Sequence, residues 1–297
     1  MLVIHRTGDH SRRRRISAQA AERGLGLRFI EACTPEQLTP RELAPLADPR
    51  QACGPDGAVA LAVLRSHLGA LHSWLSGGDA EFALILEDDL DLAGFDAWGF
   101  STAQLTQVLP ANCGLLQLAV IWPLLLPGDE RPDQRVLPTP ADLCLHRLRP
   151  GLEWCTAALL WRRAHAQALL DWLGPWAEEG LDPEALGGPL LADALLFDHQ
   201  RFGSGYATYS APLLTCHGFS PAVGSGAAGD AEAASGSSFS RSTMQRRSHD
   251  ASRDWIRARL QAQRPIPLAA VCDSGQPVWL ETREQPLVSL FTPTRNR

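Results

Sequence analysis

Residues 82–89 of the chain read FALILEDD, an apolar run that passes directly into three consecutive acids. The run is short, and Gly78 before it and Gly94 after it are turn residues, so the pattern predicts a buried strand. Carboxylates at the end of a buried strand repel one another and resist burial, and a cation stabilises such an arrangement. Ligands bind at the carboxyl ends of strands in open α/β sheets. The segment therefore predicts an α/β fold with a cation site at the sheet edge.

The spacing of the acids offers two pairs of metal ligands. Glu87 and Asp89 are two residues apart, and side chains at that spacing in an extended chain point to the same side. Asp91 continues the series and gives Asp89 with Asp91 as the alternative pair. Carboxylate oxygens suit Mg²⁺ or Mn²⁺. A solvated acidic turn is the competing interpretation, because exposed acids are the ordinary case, but the buried strand directly before the acids favours a site.

The first 75 residues alternate between strand and helix patterns. A strand, a helix and a second strand in succession indicate a parallel sheet. Ser11 is the predicted N-cap of the first helix and Gly24 its predicted stop, while leucines spaced by three and four residues predict the second helix. The predicted elements are strands at 1–5 and 27–32, helices at 11–25 and 58–75, and a surface loop at 34–56.

Beyond the acids, shorter apolar runs continue the same alternation, and the composition then changes. The predicted elements are strands at 117–122, 157–161 and 213–216, helices at 163–173, 186–197 and 253–263, and an irregular connection at 123–143. Residues 220–250 are rich in Gly, Ala and Ser and predict a flexible linker. We therefore predict a domain over 1–219, the linker over 220–250 and a C-terminal tail over 251–297.

Composition excludes several classes of protein. The formal net charge of −6 argues against a general nucleic-acid binder. All 27 basic residues are arginine, so neither a Schiff-base lysine nor a P-loop lysine is available. The seven cysteines contain no C-x-x-C pair, which fits a reducing cytoplasm. Without a signal-peptide pattern or a long apolar stretch, we predict a cytoplasmic protein that contacts a membrane peripherally, at its inner face, if at all.

Two segments together resemble glycosyltransferase family 25, which includes bacterial lipooligosaccharide galactosyltransferases and collagen galactosyltransferases. The first is AVLRSH at residues 62–67, and the second is ALILEDD at residues 83–89. The family pattern has a helix with a Gly-Cys-x-x-Ser-His element, followed by a strand that ends in Leu-Glu-Asp-Asp. The opening strand, arginine-rich helix and second strand of this chain also resemble the family at matching spacing. The resemblance covers roughly residues 2–220.

The resemblance implies a GT-A fold, a mixed and mostly parallel sheet flanked by helices. It implies that Glu87, Asp88 and Asp89 form the site for a metal ion and the diphosphate of a UDP-sugar, and that Ser66 and His67 shape the donor pocket. The chain departs from the family pattern at three places. The family's Asn is His5 here, its Gly-Cys is Ala-Val at residues 62–63, and its Trp-Asp before the middle strand is absent near Gly114.

Three further residues are candidates for the site, each with a plainer alternative, and His67 has a plainer alternative as well. Asp193 resembles the family's late Pro-x-Asp element and is the candidate acceptor-side base, against a capping or ion-paired acid. His217 follows the last predicted strand and is a candidate metal ligand, against a loop histidine. Arg12 is a candidate contact to the diphosphate, while the run Arg12–Arg15 would equally suit an anionic membrane surface or a solvated helix face. An isolated His67 would otherwise be a packed core histidine.

The C-terminal end has a resemblance of its own. Residues 288–297 read VSLFTPTRNR, which resembles the opening strand of glycosyltransferase family 2. The alternative is an ordinary C-terminal strand. The resemblance implies that a second transferase domain, fused or as a partner, would begin here.

These observations lead to one expected function and two alternatives. The expectation is metal-dependent transfer of a hexose, by resemblance galactose, from a UDP-sugar to a hydroxyl of a surface glycan such as lipopolysaccharide, with inversion. The departures at the donor pocket favour the first alternative, a non-catalytic domain that binds a nucleotide sugar or assists a larger transferase. The second alternative is a metal-dependent phosphoesterase that uses the same acids.

Overall fold

The structure is a computed structural model. It describes residues 1–44, 57–120, 144–148, 155–181, 192–198, 203–211, 213–216, 253–254, 256–258, 260–263, 266, 269–271 and 277–279.

Strands and helices alternate along the described chain. The strands are β1 (Leu2–His5), β2 (Arg28–Glu31), β3 (Phe82–Glu87), β4 (Leu90–Asp91), β5 (Cys113–Gln117), β6 (Cys144–Arg147), β7 (Ala158–Arg162), β8 (Ala207–Ser210), β9 (Thr215–Cys216), β10 (Ala269–Val271) and β11 (Pro277–Trp279). The helices are α1 (His10–Glu22), α2 (Pro40–Leu43), α3 (Gly57–Ser76), α4 (Thr102–Val108), α5 (Arg163–Leu173), α6 (Trp176–Glu179) and α7 (Ala192–Leu196), with 3-10 helices at Pro35–Gln37 and Leu92–Ala97.

Nine of the described strands form one sheet in the order β11-β10-β6-β8-β5-β7-β3-β1-β2. In its central part, β2, β1, β3, β5 and β8 run in one direction, and β7 runs against its two neighbours, β3 and β5. The protein therefore has the predicted α/β architecture, with a mixed and mostly parallel sheet at its centre. The remaining two strands, β4 and β9, form a separate antiparallel pair.

Helices cover both faces of the sheet, because alternate residues of each strand point to opposite faces. Leu2 and Ile4 of β1 pack with the buried stripe of α3 and with α5 and α7, whereas Val3 packs with α1 and α4 on the other face. Strands buried on both faces need near-continuous apolar sequence, which explains why β3 is a run of hydrophobic residues. The acids begin at Glu87, the last residue of the strand.

The described parts of the predicted tail pack onto this same sheet. Strand β10 pairs in parallel with β6, and β11 pairs with β10. Ile256 and Ile266 are buried in the core on the α1 side of the sheet. Residues 253–254, 256–258 and 260–261 are helical, in line with the predicted helix.

The strongest periodic patterns are confirmed. The predicted strands at 1–5, 27–32, 82–86 and 157–161 and the predicted helices at 58–75 and 163–173 all correspond to elements of the structure within one or two residues. Gly24 has a φ of +63°, a conformation that glycine adopts without strain, so the predicted stop of α1 is confirmed as well.

The predicted N-cap of α1 is wrong. The cap is Asp9, whose carboxylate accepts a hydrogen bond from the backbone N–H of Arg12 at 3.0 Å. Ser11 lies inside the helix, and its hydroxyl donates to that same carboxylate at 2.8 Å. Both residue types are good caps, and the helix begins one residue earlier than the sequence pattern suggested.

Two other predictions need correction. The strand predicted at 117–122 is β5, which ends where the prediction begins, because residues 113–120 are all buried and give no sign of where pairing stops. The surface loop predicted at 34–56 contains the 3-10 helix Pro35–Gln37 and helix α2. Glu42 of α2 is fully buried, with its carboxylate 3.2 Å from Nη1 of Arg65.

Several predictions lie outside the described residues. They are the irregular connection at 123–143, the first half of the helix predicted at 186–197, His217, the linker at 220–250 and the run at 288–297. In the part of the chain that the structure covers, no helix is both long enough and apolar enough to cross a membrane.

Two glycines in regular elements are expected to respond oppositely to alanine. In α3, a Cβ on Gly69 meets nothing within 4 Å, so Gly69→Ala is expected to stabilise the protein by about 0.5–1 kcal/mol through helix propensity. In β5, a Cβ on Gly114 would lie 2.6 Å from Cβ of Tyr206 and closer still to the ring of His165. Gly114→Ala is therefore expected to destabilise by about 1–3 kcal/mol. Urea unfolding measures both, and equal stabilities would contradict the packing described here.

Candidate functional site

The acids lie at the edge of the sheet where β1 and β3 end. Glu87 is the last residue of β3, and Asp88 and Asp89 form the turn that leads into β4. Because β7 runs antiparallel to β3, the residues that precede β7 lie at this same edge. Glu87 is tied to that segment by its backbone N–H, which donates to the carbonyl of Ala157 at 2.8 Å.

Glu87 is held by two side-chain hydrogen bonds to one oxygen. Nε2 of His67 lies 3.2 Å from Oε1, and the hydroxyl of Thr156 donates to the same oxygen at 2.8 Å. Burial disfavours the charged form, but the hydrogen bond and charge of His67, together with Thr156, outweigh it, so the pKa of Glu87 is lowered. Glu87 is therefore an ionised carboxylate of fixed orientation.

Asp88 is almost completely buried and paired with protein groups. Its Oδ2 lies 2.8 Å from Nδ1 of His5, and its Oδ1 accepts from Nη1 of Arg12 at 2.8 Å. Nη2 of Arg15 donates to the Asp88 backbone carbonyl at 3.1 Å. These contacts join α1 to the ends of β1 and β3. Asp88 thus anchors the helix beside the site, and Arg12, predicted to contact a diphosphate, contacts the protein's own Asp88.

Asp89 differs from its two neighbours because one of its oxygens is unsatisfied. Its Oδ1 is buried and has no hydrogen-bond partner among the residues that the structure describes, while Oδ2 lies 3.9 Å from Nη1 of Arg12. Burial, the charge of Glu87 and the charge of Asp88 raise the pKa of Asp89 to about 7, against the opposing effect of Arg12. An unsatisfied buried carboxylate oxygen is costly, so the geometry favours a ligand at this atom.

Arg12 contacts two of the three acids at this edge. Its Nη1 donates to Oδ1 of Asp88 at 2.8 Å and lies 3.9 Å from Oδ2 of Asp89, while Arg15 donates to the backbone carbonyl of Asp88. Among the residues that the structure describes, no group of three or more His, Cys, Asp and Glu side chains is placed to hold a metal ion. Mg²⁺ commonly takes one or two protein carboxylates and completes its shell with substrate phosphates and water. Glu87 and Asp89 fit that second arrangement.

Asp91 is engaged elsewhere. Its Oδ1 accepts from the backbone N–H of Ala93 at 3.0 Å and from Nε2 of Gln19 at 3.1 Å, which caps the 3-10 helix Leu92–Ala97 and ties it to α1. The alternative pair of Asp89 with Asp91 therefore has less support than Glu87 with Asp89. His217, the third predicted ligand, is not among the described residues.

The two donor-site residues predicted on α3 have different surroundings. The hydroxyl of Ser66 accepts from the backbone N–H of Cys33 at 2.9 Å and donates to the carbonyl of Ala62 at 2.7 Å. Ser66 thus connects α3 to the segment after β2. His67 is 1% exposed and contacts the site through Glu87.

Asp193, the predicted base, contacts the turn that precedes β7. Its Oδ1 accepts from the backbone N–H of Cys155 at 3.0 Å, and the carbonyl of Cys155 accepts from Nε2 of Gln117 at 3.0 Å. Cys155 has a φ of +117°, which is rare for a residue other than glycine. Its thiol also contacts that of Cys216 in β9.

Sequence reasoning missed three residues that shape the site. Thr156 and Gln117 carry no motif, and their roles depend on β7 running antiparallel between β3 and β5. His5 was noticed only as a departure from the family pattern, although a polar residue at the end of a buried strand signals a place at the sheet edge. Its contact with Asp88 is visible only in three dimensions.

No protein-family model and no curated protein matches the chain.

Proposed function

We propose that the protein is a metal-dependent glycosyltransferase that moves a hexose from a UDP-sugar to a hydroxyl of a surface glycan. The observation that carries the proposal is the carboxylate pair Glu87 and Asp89 at the end of a central strand, together with a buried Asp89 oxygen that has no hydrogen-bond partner among the described residues. A divalent cation bound with a diphosphate matches both features. By resemblance, the donor is UDP-galactose and the reaction inverts the anomeric centre.

The sheet supports a GT-A-like fold as part of this proposal. Five parallel strands and the single antiparallel β7 in the central part place the turn before β7 beside the ends of β1 and β3. Side chains from four elements, β1, α1, α3 and the segment before β7, therefore converge on the acids. The cytoplasmic location and the peripheral contact with an anionic membrane through the arginine-rich α1 remain part of the same proposal.

The chemistry divides between the cation and the side chains of the protein. A divalent cation would offset the negative charge that develops on the leaving diphosphate. Glu87 and Asp89 would hold it, with Glu87 oriented by His67 and Thr156. Arg12, fixed by Asp88, adds a positive charge at the same edge. The acceptor hydroxyl must lose a proton to a positioned base in an inverting transfer.

Calorimetry with UDP-galactose and Mn²⁺ tests the proposal. We expect the wild type to bind the pair, to bind UDP-galactose far more weakly without the metal, and to hydrolyse the donor slowly when no acceptor is present. Glu87→Gln is expected to lose the metal-dependent part of binding, whereas Glu22→Gln, which removes an exposed acid at the end of α1, should keep it. Absence of both binding and hydrolysis would refute the transferase.

The contacts of the acids also favour a second candidate, a non-catalytic domain that binds a nucleotide sugar. Asp88 is paired with His5, the residue that departs from the family pattern, and no described group of three ligands is in place. Binding of Mn²⁺ and UDP-galactose with neither hydrolysis nor transfer would identify this candidate. Release of inorganic phosphate or of a sugar phosphate would instead identify the phosphoesterase.

A further inference from the structure

We infer that Asp193 is a positioning residue, which orients Glu87 through the strained turn before β7, and is not the base that deprotonates the acceptor. The inference rests on the proposed function in one respect, because Glu87 is taken to bind the cation that accompanies the diphosphate. It assigns to Asp193 a different task from the one that its sequence context suggested.

The turn before β7 is held from both sides. Asp193 in α7 accepts the N–H of Cys155 at 3.0 Å, and Gln117 at the end of β5 donates to the Cys155 carbonyl at 3.0 Å. Gln117 is itself fixed by the hydroxyl of Ser210 in β8, which donates to its Oε1 at 2.6 Å. A positive φ at a residue with a side chain persists only where the surroundings impose it, and these contacts impose it on Cys155.

The conformation of Cys155 decides where the next side chain points. Thr156 follows directly, and its hydroxyl reaches Oε1 of Glu87 at 2.8 Å. One residue later, Ala157 accepts the backbone N–H of Glu87 at 2.8 Å. The segment therefore contacts Glu87 through both a side chain and the backbone. A change in the turn would rotate the Thr156 hydroxyl away from the carboxylate that it orients.

If Asp193 were the general base, its carboxylate would have to meet different requirements. A general base must lie within hydrogen-bond reach of the hydroxyl that it deprotonates, and its carboxylate must be able to take the proton. The Asp193 oxygen described here accepts from a backbone N–H that the fold supplies. The amide of asparagine keeps an acceptor oxygen for that N–H but cannot take a proton at neutral pH, so one substitution separates the two roles.

Three variants test the inference through Mn²⁺-dependent UDP-galactose affinity and turnover. Asp193→Ala is expected to weaken the affinity about tenfold, as loss of a charged hydrogen bond would. Asp193→Asn should retain most of the affinity and of the turnover. If Asn instead loses turnover by about a hundredfold or more with unchanged affinity, Asp193 is a base and the inference is overturned. Thr156→Val probes the other end of the link and is expected to weaken the affinity as Asp193→Ala does.

The double variant and a ligand-free measurement complete the test. Asp193→Ala with Thr156→Val should lose no more affinity than either single change, because coupled residues are not additive; additive losses would contradict the link. In ¹⁵N spectra without ligand, Asp193→Ala should shift the amide resonances of Thr156 and Glu87, while the exposed Asp171→Ala of α5 should not. If the resonances of Thr156 and Glu87 do not shift, the link between Asp193 and Glu87 is overturned, whether or not the protein binds a nucleotide. If they shift but the protein binds no nucleotide, only the transferase proposal is rejected.

Discussion

Asp89→Asn is expected to abolish Mn²⁺-dependent UDP binding and, at the same time, to stabilise the metal-free protein at neutral and higher pH. The neutral amide removes the charge that the cation would meet. It also removes a carboxylate that the folded protein accommodates poorly, since one oxygen is buried without a partner and Glu87 is adjacent. A gain in stability coupled to a loss of binding is typical of a functional residue.

The pH dependence follows from the sign of the pKa shift. The pKa of Asp89 in the folded protein, about 7, lies above its usual value, so the folded state binds a proton that the unfolded state has released. The Asp89 side chain therefore makes its full contribution to the free energy of unfolding only at a pH below its unfolded pKa. That contribution decreases as the pH rises and is lost by about pH 7. We expect the stability gap between variant and wild type to widen between about pH 4 and about pH 7, to a limit on the order of 4 kcal/mol.

Urea unfolding across this pH range, with a chelator present, measures the gap, and calorimetry with Mn²⁺ and UDP measures the binding. Asp79→Asn is the matched control, because it removes an exposed acid ahead of β3 and should change neither quantity. A variant of Asp89 that still binds UDP in a Mn²⁺-dependent manner would move the cation site elsewhere. A variant no more stable than wild type at high pH would contradict the unfavourable position of the Asp89 charge.

Arg12→Met is expected to destabilise the protein by about 3 kcal/mol, because removing one partner of a buried ion pair leaves the other charge uncompensated. Asp88 is only 6% exposed, and Arg12 donates to its Oδ1 at 2.8 Å. His5 remains as a partner for the other oxygen, which keeps the expected loss at the lower end for a broken buried pair. Methionine preserves most of the apolar stem of the arginine.

Arg14→Met provides the comparison on the same helix. Arg14 is exposed, so the same substitution there is expected to change the free energy of unfolding by less than about 0.5 kcal/mol. Urea unfolding at neutral pH, with an unchanged denaturant slope, measures both variants. Equal losses at the two positions would mean that helix propensity, and not the Asp88 contact, accounts for the effect.

Periodicity alone was enough to predict the elements that position the site. The stripe of leucines in α3 predicts a helix with one buried face, and the apolar run of β3 predicts a buried strand, because burial dictates their residue types. The bounds of β5 could not be predicted in this way, since burial continues past Gln117 after pairing with β7 stops. Strand β8 was missed because four residues, two of them Thr and Ser, form too short a pattern to stand out from a loop.

At the site, too, local sequence patterns were enough for some residues and not for others. The acids at 87–89 could be predicted as a site because charged residues at the end of a buried strand are costly unless they are paired or bind a ligand. Their partners could not, because the contact of His5 with Asp88 spans 83 residues and that of Thr156 with Glu87 spans 69. Arg12 was predicted to touch an anion, and the structure places it against the protein's own Asp88. Sequence pattern identifies a charge more readily than the group that balances it.

The position of β7 has a consequence for synthesis of the chain on the ribosome. Strands β3 and β5 are neighbours in sequence order among the central strands, yet β7 lies between them in the sheet. A nascent chain that ends between residues 117 and 158 therefore contains both apolar strands but not the strand that joins them. Proteins of this size fold through partly formed states with exposed strand edges. The central sheet can close only after β7 has left the exit tunnel, so chaperone dependence during translation is expected to centre on chains that end before β7.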